Sequence, residues 1–254
     1  MTDVTERTIL VPIDMHGINR GTLETLVTIA RQLDRGVLGL LLEDIRLQRV
    51  ADLPFTTEIT LTGARERSLL RDHLSQRYSQ VNADTRRLLN ELAARDRVRL
   101  RFEDAAGPRW HTALQREGQL DIFFPARDMW HPRAAMQRSR GGLIKRLGIL
   151  LPTGDQAAAL LGCAEALLRA GLVGDVYVLS EQRLMPEQLQ PLYRPGHQVR
   201  VQANFDLSPD SIAALIRYSP YDLLLLPRDC LKGIGTDSID AALEKSGTQI
   251  LVMN

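Results

Sequence analysis

The sequence lacks most features of secreted, membrane-spanning and metal-binding proteins. Its only cysteines are Cys163 and Cys230, without a CxxC pair. Neither a disulfide framework nor a zinc site is therefore expected, and both thiols are interpreted as structural. No apolar run approaches the roughly 20 residues of a membrane span, and the first 14 residues, MTDVTERTILVPID, contain no apolar signal-peptide region. We expect a cytoplasmic protein without a membrane span.

The chain also lacks an excess of charge of either sign. Its formal net charge at pH 7 is +1, which argues against a protein built to hold nucleic acid through its phosphates. One local imbalance is the segment 129–146. Its charged residues are all basic: Arg133, Arg138, Arg140, Lys145 and Arg146. We interpret this segment as a solvated basic linker, and the alternative is an anion or partner site.

Catalytic motifs are absent as well. The sequence contains no GxSxG, no HExxH, no GxxxxGK followed by Ser or Thr, and no GxGxxG after a strand. His111 and His131 each follow a tryptophan, but no nucleophile motif accompanies them. We predict no catalytic residue and no metal ligand. The sequence gives no reason to expect an enzyme, although it does not exclude one.

A short phrase occurs twice. Residues 121–128 read DIFFPARD, and residues 222–229 read DLLLLPRD. An apolar run between Asp and Pro suits a strand buried on both faces, which is typical of parallel sheets covered by helices. The repetition indicates a repeated α/β unit. Its Arg-Asp pairs stand at the carboxyl ends of strands, where open α/β sheets bind ligands.

The two halves also begin alike. TILVPID at 8–14 and GILLPTG at 148–154 are each followed by a helical pattern and a second apolar strand. Each half then closes with a strand, a turn, a helix and the repeated phrase. With 44% apolar residues among 254, the chain has enough core for two modest domains.

The halves differ in the middle and at the end. Leucines and a valine at helical spacing predict a long amphipathic helix over about 64–95 in the first half. The second half ends in a helix and a last strand, Gln249–Met253, for which the first half has no counterpart. We predict two domains, 1–146 and 147–254, of which the first lacks its fifth strand.

The order of these elements resembles two tandem domains of the universal stress protein family. The resemblance is carried by ILVPID with its helix, AAGPRWHTALQREGQLDIFFPARD, SPDSIAALIRYSPYDLLLLPRD and GTQILVMN. It implies an α/β fold of two tandem Rossmann-like, open parallel sheets flanked by helices. It also implies relatives of which many bind ATP or AMP and which commonly pair through their last strand.

The resemblance does not extend to the family's phosphate-binding glycines. Glycines after the fourth strand let backbone N–H groups approach phosphates. Here Pro125 and Pro227 end the two strands. The first half then has other residues at the next family positions: Asp128, Arg138 and Ser139. We expect no triphosphate cradle in the first half.

Part of the family pattern is retained elsewhere. Before the last helix of the second half, the sequence keeps Gly233, Gly235 and Thr236, which resemble only the final Gly-Thr element of the family site and lie two residues early. Ser238 joins them at the candidate phosphate position. Asp14 matches the family Asp that ends the first strand and faces the adenosine end of the nucleotide. These five residues are the candidate nucleotide-binding residues, Asp14 serving the first half and the other four the second. The alternative for Asp14 is a helix cap or turn former.

The two Arg-Asp pairs, Arg127 with Asp128 and Arg228 with Asp229, suggest a shared role at the strand ends. We interpret each pair as bracing its neighbouring loop through a local ion pair. The alternative is a common ligand-binding role.

These observations favour a tandem universal-stress-type regulatory or stress-response protein. Its nucleotide-binding motifs are degraded, no cofactor is expected, and it acts mainly through contacts with an unidentified protein partner. The first alternative is a sensor of AMP, ATP or a small anion at the strand carboxyl ends, and the second is an adenylate-handling enzyme. We also expect a homodimer through the C-terminal strand, because an apolar edge strand is a pairing surface.

Overall fold

A computed structural model describes residues 7–43, 45–59, 66–116, 118, 120–126, 144–154 and 156–254. The strands in these ranges are β1 (Thr8–Ile13), β2 (Gly36–Glu43), β3 (Thr57–Ile59), β4 (Glu66–Ser68), β5 (Leu100–Ala106), β6 (Leu120–Phe124), β7 (Ile144–Leu151), β8 (Val173–Ser180), β9 (Val199–Gln202), β10 (Leu223–Pro227) and β11 (Gln249–Met253). The α-helices are α1 (Arg20–Gln32), α2 (Ile45–Ala51), α3 (Arg71–Asp96), α4 (Arg109–Leu114), α5 (Gln156–Arg169), α6 (Pro209–Tyr218) and α7 (Thr236–Glu244).

Nine of the strands form one sheet in the order β5-β2-β1-β6-β11-β10-β7-β8-β9. Every neighbouring pair in it is parallel except β6 and β11. The predicted α/β class, with parallel strands flanked by helices, is confirmed. The two sheets expected from the sequence are, however, joined into one. On either side of β11, the equivalent strands of the two halves follow one another in the same order.

The C-terminal strand β11 lies in the middle of this sheet. It pairs in parallel with β10, where Leu225 is opposite Leu251, and antiparallel with β6, where Phe123 is opposite the same residue. The expected homodimer through this strand is wrong, because hydrogen bonds within the chain occupy both of its edges. β11 lies beside β6, in the position that a fifth strand of the first half would have taken.

The inner strands of the large sheet, such as β1, β6, β10 and β11, are buried on both faces, as their apolar runs predicted. On one face the sheet packs against α1, α3 and α5, and Leu26, Leu89 and Leu167 belong to that core. On the other face it packs against α4, α6 and α7, which contribute Trp110 and Ile216 among others. Both cores extend across the two halves, so the fold has no gap between the repeats.

The segment between β2 and β5 differs from the single helix predicted over 64–95. Helix α3 starts later, at Arg71, and ends at Asp96, where Arg97 adopts a left-handed φ of 56° as the C-cap. Before it, β3 and β4 form an antiparallel hairpin, and Leu70 is the N-cap residue of the helix. Helical spacing therefore predicted the wrong structure for residues 66–70, and 64–65 lie outside the described residues.

The domain boundary and the linker stay predictions. Strand β7 begins at Ile144, so residues 144–146 of the predicted basic linker belong to the sheet, and 129–143 lie outside the described residues. No helix in the described part of the chain is long and apolar enough to cross a membrane. The cytoplasmic location likewise stays a prediction.

An ion pair is buried where the two halves meet. Asp121, the acid that opens the first repeated phrase, pairs with Arg35, and their side chains are 3% and 8% exposed. Asp121 Oδ1 also accepts the backbone N–H of Asn254 at 3.1 Å, directly after β11. Removal from water lowers the pKa of the Arg35 guanidinium, and burial raises the pKa of the neighbouring Cys163 thiol to about 12. This pair ties β6, the start of β2 and the chain end together.

Candidate functional site

Asp14 lies where β1 ends, at the carboxyl edge of the sheet. Its Oδ1 accepts the backbone N–H of His16 at 3.0 Å. Its carbonyl oxygen accepts the N–H of Gly17 at 3.0 Å, and Gly17 has a φ of 68° that suits glycine. These bonds form a tight turn, so the alternative expectation of Asp14 as a turn former describes its local geometry.

Asp14 also lines a cavity of about 70 Å³ between the two halves. One wall comes from the first half, including Leu42, Gly107 and Trp110, and the other from the C-terminal turns of α7, including Leu243. Pockets that hold small ligands are usually about 300–1,000 Å³. The strand end that the family resemblance assigns to adenosine is therefore largely filled by a helix of the second half.

The polar groups around this cavity have mixed charge. Asp14, Asp240 and Glu244 contribute carboxylates, and Arg109 contributes a guanidinium. Arg109 Nη2 donates to the carbonyl oxygen of Pro125 at 3.1 Å, so this cation binds the end of β6. No group of three or more potential metal ligands occurs in the described ranges.

The four candidate residues of the second half stand at the opposite end of α7. Gly235 is its N-cap residue, and Thr236 begins the helix. Gly233 has a φ of 90°, and Ser238 is exposed. None of these four lines the cavity at Asp14, although Ser238 lies only two residues before Asp240, which does line it. The binding roles of Asp14 and of these four residues stay predictions.

Arg228 binds the opposite half of the molecule. Its Nη2 donates to the carbonyl oxygens of Leu114 at 2.5 Å and Arg116 at 3.1 Å. Leu114 is the last residue of α4 and Arg116 follows two positions later, at a helix end where orphan carbonyls and the helix dipole favour a cation. Sequence reasoning missed this role, because the acceptors are backbone atoms more than 100 positions away.

Asp229 has different partners from its neighbour. Its Oδ1 lies 2.5 Å from Lys232 Nζ, and its Oδ2 accepts from Gln156 Nε2 at 2.9 Å. The predicted local bracing therefore describes Asp229, whereas Arg228 braces across the halves. Arg127 and Asp128 lie outside the described residues.

Arg228→Met is expected to lower the free energy of unfolding by about 1–3 kcal/mol, because it leaves half-buried carbonyls at the end of α4 without their donor. Asp229→Asn is the matched control, since its ion pair with Lys232 is exposed and such pairs contribute about 0–1 kcal/mol. Urea unfolding followed by circular dichroism measures both. Equal effects of the two substitutions would mean that the hydrogen bonds from Arg228 to the other half stabilise the fold no more than an exposed ion pair does.

A wider, open cleft lies beside the small cavity. It has a volume of about 760 Å³. Its lining combines the β1–α1 turn, the middle of α3, the end of α7 and the residue after Pro125: His16, Gly17, Ile18, Asn19, Val81, Asp84, Thr85, Ala126, Glu244 and Lys245. No sequence motif pointed to it, because its walls come from four separate segments.

No family model and no curated protein matches the chain. Among solved structures it is similar to the crystal structure of a universal stress protein from Archaeoglobus fulgidus DSM 4304, with 10% identity, 96% coverage of each chain and a TM-score of 0.46. At that identity and score the similarity carries no conclusion about activity or ligand.

Proposed function

We propose that this protein is a tandem universal-stress-type regulatory or stress-response protein that acts through contacts with other proteins and has no working triphosphate site. The sequence resemblance supports the family, and the mostly parallel α/β sheet is compatible with it. The observation that carries the proposal is the filled strand end at Asp14. There a cavity of about 70 Å³ is too small for an adenosine group.

In the second half the proposal is supported by a carboxylate of the chain itself, that of Asp229, near the start of α5. A phosphate group binds well at a helix N-terminus, where N–H groups and the helix dipole attract anions. Gln156 begins α5, and its amide already donates to the carboxylate of Asp229. An approaching phosphate would meet this negative charge. Pro227, which ends β10, has no N–H to offer it.

The open cleft favours a second candidate function, a sensor of AMP, ATP or a small anion. Its volume of about 760 Å³ falls within the usual range for small-ligand sites. The start of α1 forms one side of it, and Lys245 supplies a cation. Asp84 and Glu244 also line this cleft, and their carboxylates would repel a polyphosphate.

Isothermal titration calorimetry with Mg-ATP is expected to show no binding in the low micromolar range. The physical reasons are the proline-terminated strands and the acids at both candidate phosphate positions. AMP, which carries less charge, is the companion titration. A dissociation constant of about 1 μM for ATP, equivalent to roughly 8 kcal/mol of binding free energy, would contradict the proposal.

If binding is found, two variants locate it. Lys245→Ala weakens a ligand held in the open cleft, and Ser238→Ala weakens a ligand held at the start of α7. Both side chains are exposed, so neither substitution is expected to change folding stability by more than about 0.5 kcal/mol. Loss of binding in the first variant alone would establish the sensor function in the cleft.

A further inference from the structure

Two helix ends of opposite polarity border the open cleft. Helix α1 begins at Arg20, directly after the lining residue Asn19. Helix α7 ends at Glu244, and Lys245 is its C-cap residue; both line the cleft. The N-terminus of a helix carries about +0.5 of an elementary charge and the C-terminus about −0.5. The cleft therefore has a positive side at α1 and a negative side at α7.

The backbone groups at these ends have the same polarity. The first N–H groups of a helix and its last carbonyl oxygens have no partner inside the helix. At α1 the side chain of Asn19 accepts the N–H of Thr22 at 2.9 Å, which leaves the N–H groups of Arg20 and Gly21 outside the helical ladder. A carboxylate accepts from such donors, and an ammonium group donates to the carbonyl oxygens at the end of α7.

A nearly buried hydroxyl is the independent sign of a ligand. Thr85 lines the cleft from the middle of α3 and is 5% exposed. Threonine hydroxyls within helices commonly donate to the carbonyl oxygen four residues earlier, as those of Thr25 and Thr28 do on α1 at 2.9 and 2.7 Å. The Thr85 hydroxyl makes no hydrogen bond to another described residue. Since nearly buried polar groups have partners as a rule, a ligand in the cleft supplies the missing one.

The charged side chains of the cleft select a ligand that carries both signs. Asp84 and Glu244 contribute carboxylates, and Lys245 contributes an ammonium group. Asp84 pairs with Arg87 at 2.8 Å, but their side chains are 58% and 80% exposed, so this pair is weak and gives way to a ligand. A simple anion would meet two carboxylates. A simple cation would meet Lys245 and the start of α1, whereas a zwitterion satisfies both signs.

Apolar residues form the wall between the charged ends. Ile18, Val81 and Ala126 are half-buried and line the cleft. The β1–α1 turn packs closely on α3, because a Cβ atom at Gly17 would lie 3.3 Å from Val81 Cγ1. This wall is therefore fixed in place by packing. The volume of about 760 Å³ holds an apolar side chain as well as two charged groups.

We propose that the open cleft binds an amino-acid-type zwitterion, either a free α-amino acid or a short peptide, with an apolar side chain. Its carboxylate faces the start of α1, where the flexible Lys245 side chain adds a cation. Its ammonium group donates to the Thr85 hydroxyl and faces Asp84 and Glu244. The proposal goes beyond the proposed function, since no nucleotide takes part in it.

Isothermal titration calorimetry of the full chain with leucine and with leucyl-leucine tests the proposal. At least one of them is expected to bind with a dissociation constant of about 1 mM or tighter, and the tighter of the two identifies the source of the zwitterion. N-acetyl-leucine lacks the ammonium group, and leucinamide lacks the carboxylate. Each is expected to bind at least about 10-fold more weakly than leucine, because charge-assisted hydrogen bonds are lost.

Thr85→Val tests the hydroxyl. Valine keeps the shape of the side chain, so the zwitterion is expected to bind about 3–10-fold more weakly through the loss of one hydrogen bond. The midpoint of thermal unfolding is expected to stay unchanged or to rise, since the substitution removes no hydrogen bond within the chain. The matched control is Thr28→Val, which lies outside the cleft and loses a bond to the carbonyl oxygen of Glu24. It is expected to leave binding unchanged.

Three results would overturn the proposal. The first is the absence of binding by both zwitterions at about 10 mM. The second is a probe lacking one charge that binds as tightly as leucine, which would make the cleft a site for a simple cation or anion. The third is equal binding by the Thr85→Val and Thr28→Val proteins. The titration with Mg-ATP concerns a different ligand, so either proposal can fail while the other stands.

Discussion

Asp121→Asn is expected to lower the free energy of unfolding by about 3–5 kcal/mol, the usual effect of removing one partner from a buried ion pair. The side chains of Asp121 and Arg35 are 3% and 8% exposed, so water cannot replace the lost carboxylate. Asparagine has nearly the same shape and keeps an oxygen for the N–H of Asn254. The substitution therefore isolates the effect of the charge.

The size of this effect is measured by urea unfolding, with an exposed pair as control. Asp84 pairs with Arg87 at 2.8 Å, and their side chains are 58% and 80% exposed. Asp84→Asn is expected to cost less than about 1 kcal/mol, because solvent screens such a pair. The double substitution Arg35→Met with Asp121→Leu is expected to recover most of the lost stability, since it leaves no buried charge. An Asp121→Asn protein as stable as the control variant would contradict the buried pair.

The repeated strands could be predicted from the sequence because their signal is local. A short apolar run bounded by Asp and Pro predicted β6 and β10, and the last strand has the predicted bounds, Gln249–Met253. Ser208 is the N-cap residue of α6 and accepts the N–H of Ser211, a role that serine favours through local hydrogen bonding. Each of these features depends on residues that are close together in the chain.

The residues of a strand, in contrast, do not determine which other strand it pairs with. An apolar run such as QILVM is buried on both faces whether the strand lies at an edge or in the centre of a sheet. The sequence predicted that the first half lacks a fifth strand of its own. It gave no sign that β11 would lie beside β6. A strand tethered in the same chain has a high effective concentration, which favours this pairing over pairing with a second chain.

The candidate site was harder to predict for the same reason. The sequence assigned Asp14 to the first half and the Gly-Thr element to the second, because each matched a family position in its own half. The joined sheet places α7 across both halves, so its C-terminal end reaches Asp14 while its N-terminal end carries Gly235. The position of α7 beside the strand end of the other half could not be predicted from either half alone.

Ile250→Lys is expected to unfold most of the protein rather than to convert a dimer to a monomer. Ile250 is 0% exposed and lies opposite Phe124 of β6 and Leu224 of β10. A lysine ammonium there would be buried without a partner, and the loss of the apolar side chain adds to a cost of at least about 3–5 kcal/mol. Domains are stabilised by only about 5–15 kcal/mol in total.

The control for this substitution is Val201→Lys, because Val201 lies in the edge strand β9 and is 43% exposed. It is expected to change stability by less than about 1 kcal/mol. Amide hydrogen exchange followed by mass spectrometry distinguishes the possible responses of the Ile250→Lys protein. Since β11 lies between β6 and β10 in a shared sheet, exchange is expected to increase together in β1 of the first half and β7 of the second. A folded Ile250→Lys protein with native exchange in both strands would mean that β11 is an accessible edge after all. Increased exchange in the second half alone would mean that the repeats fold independently.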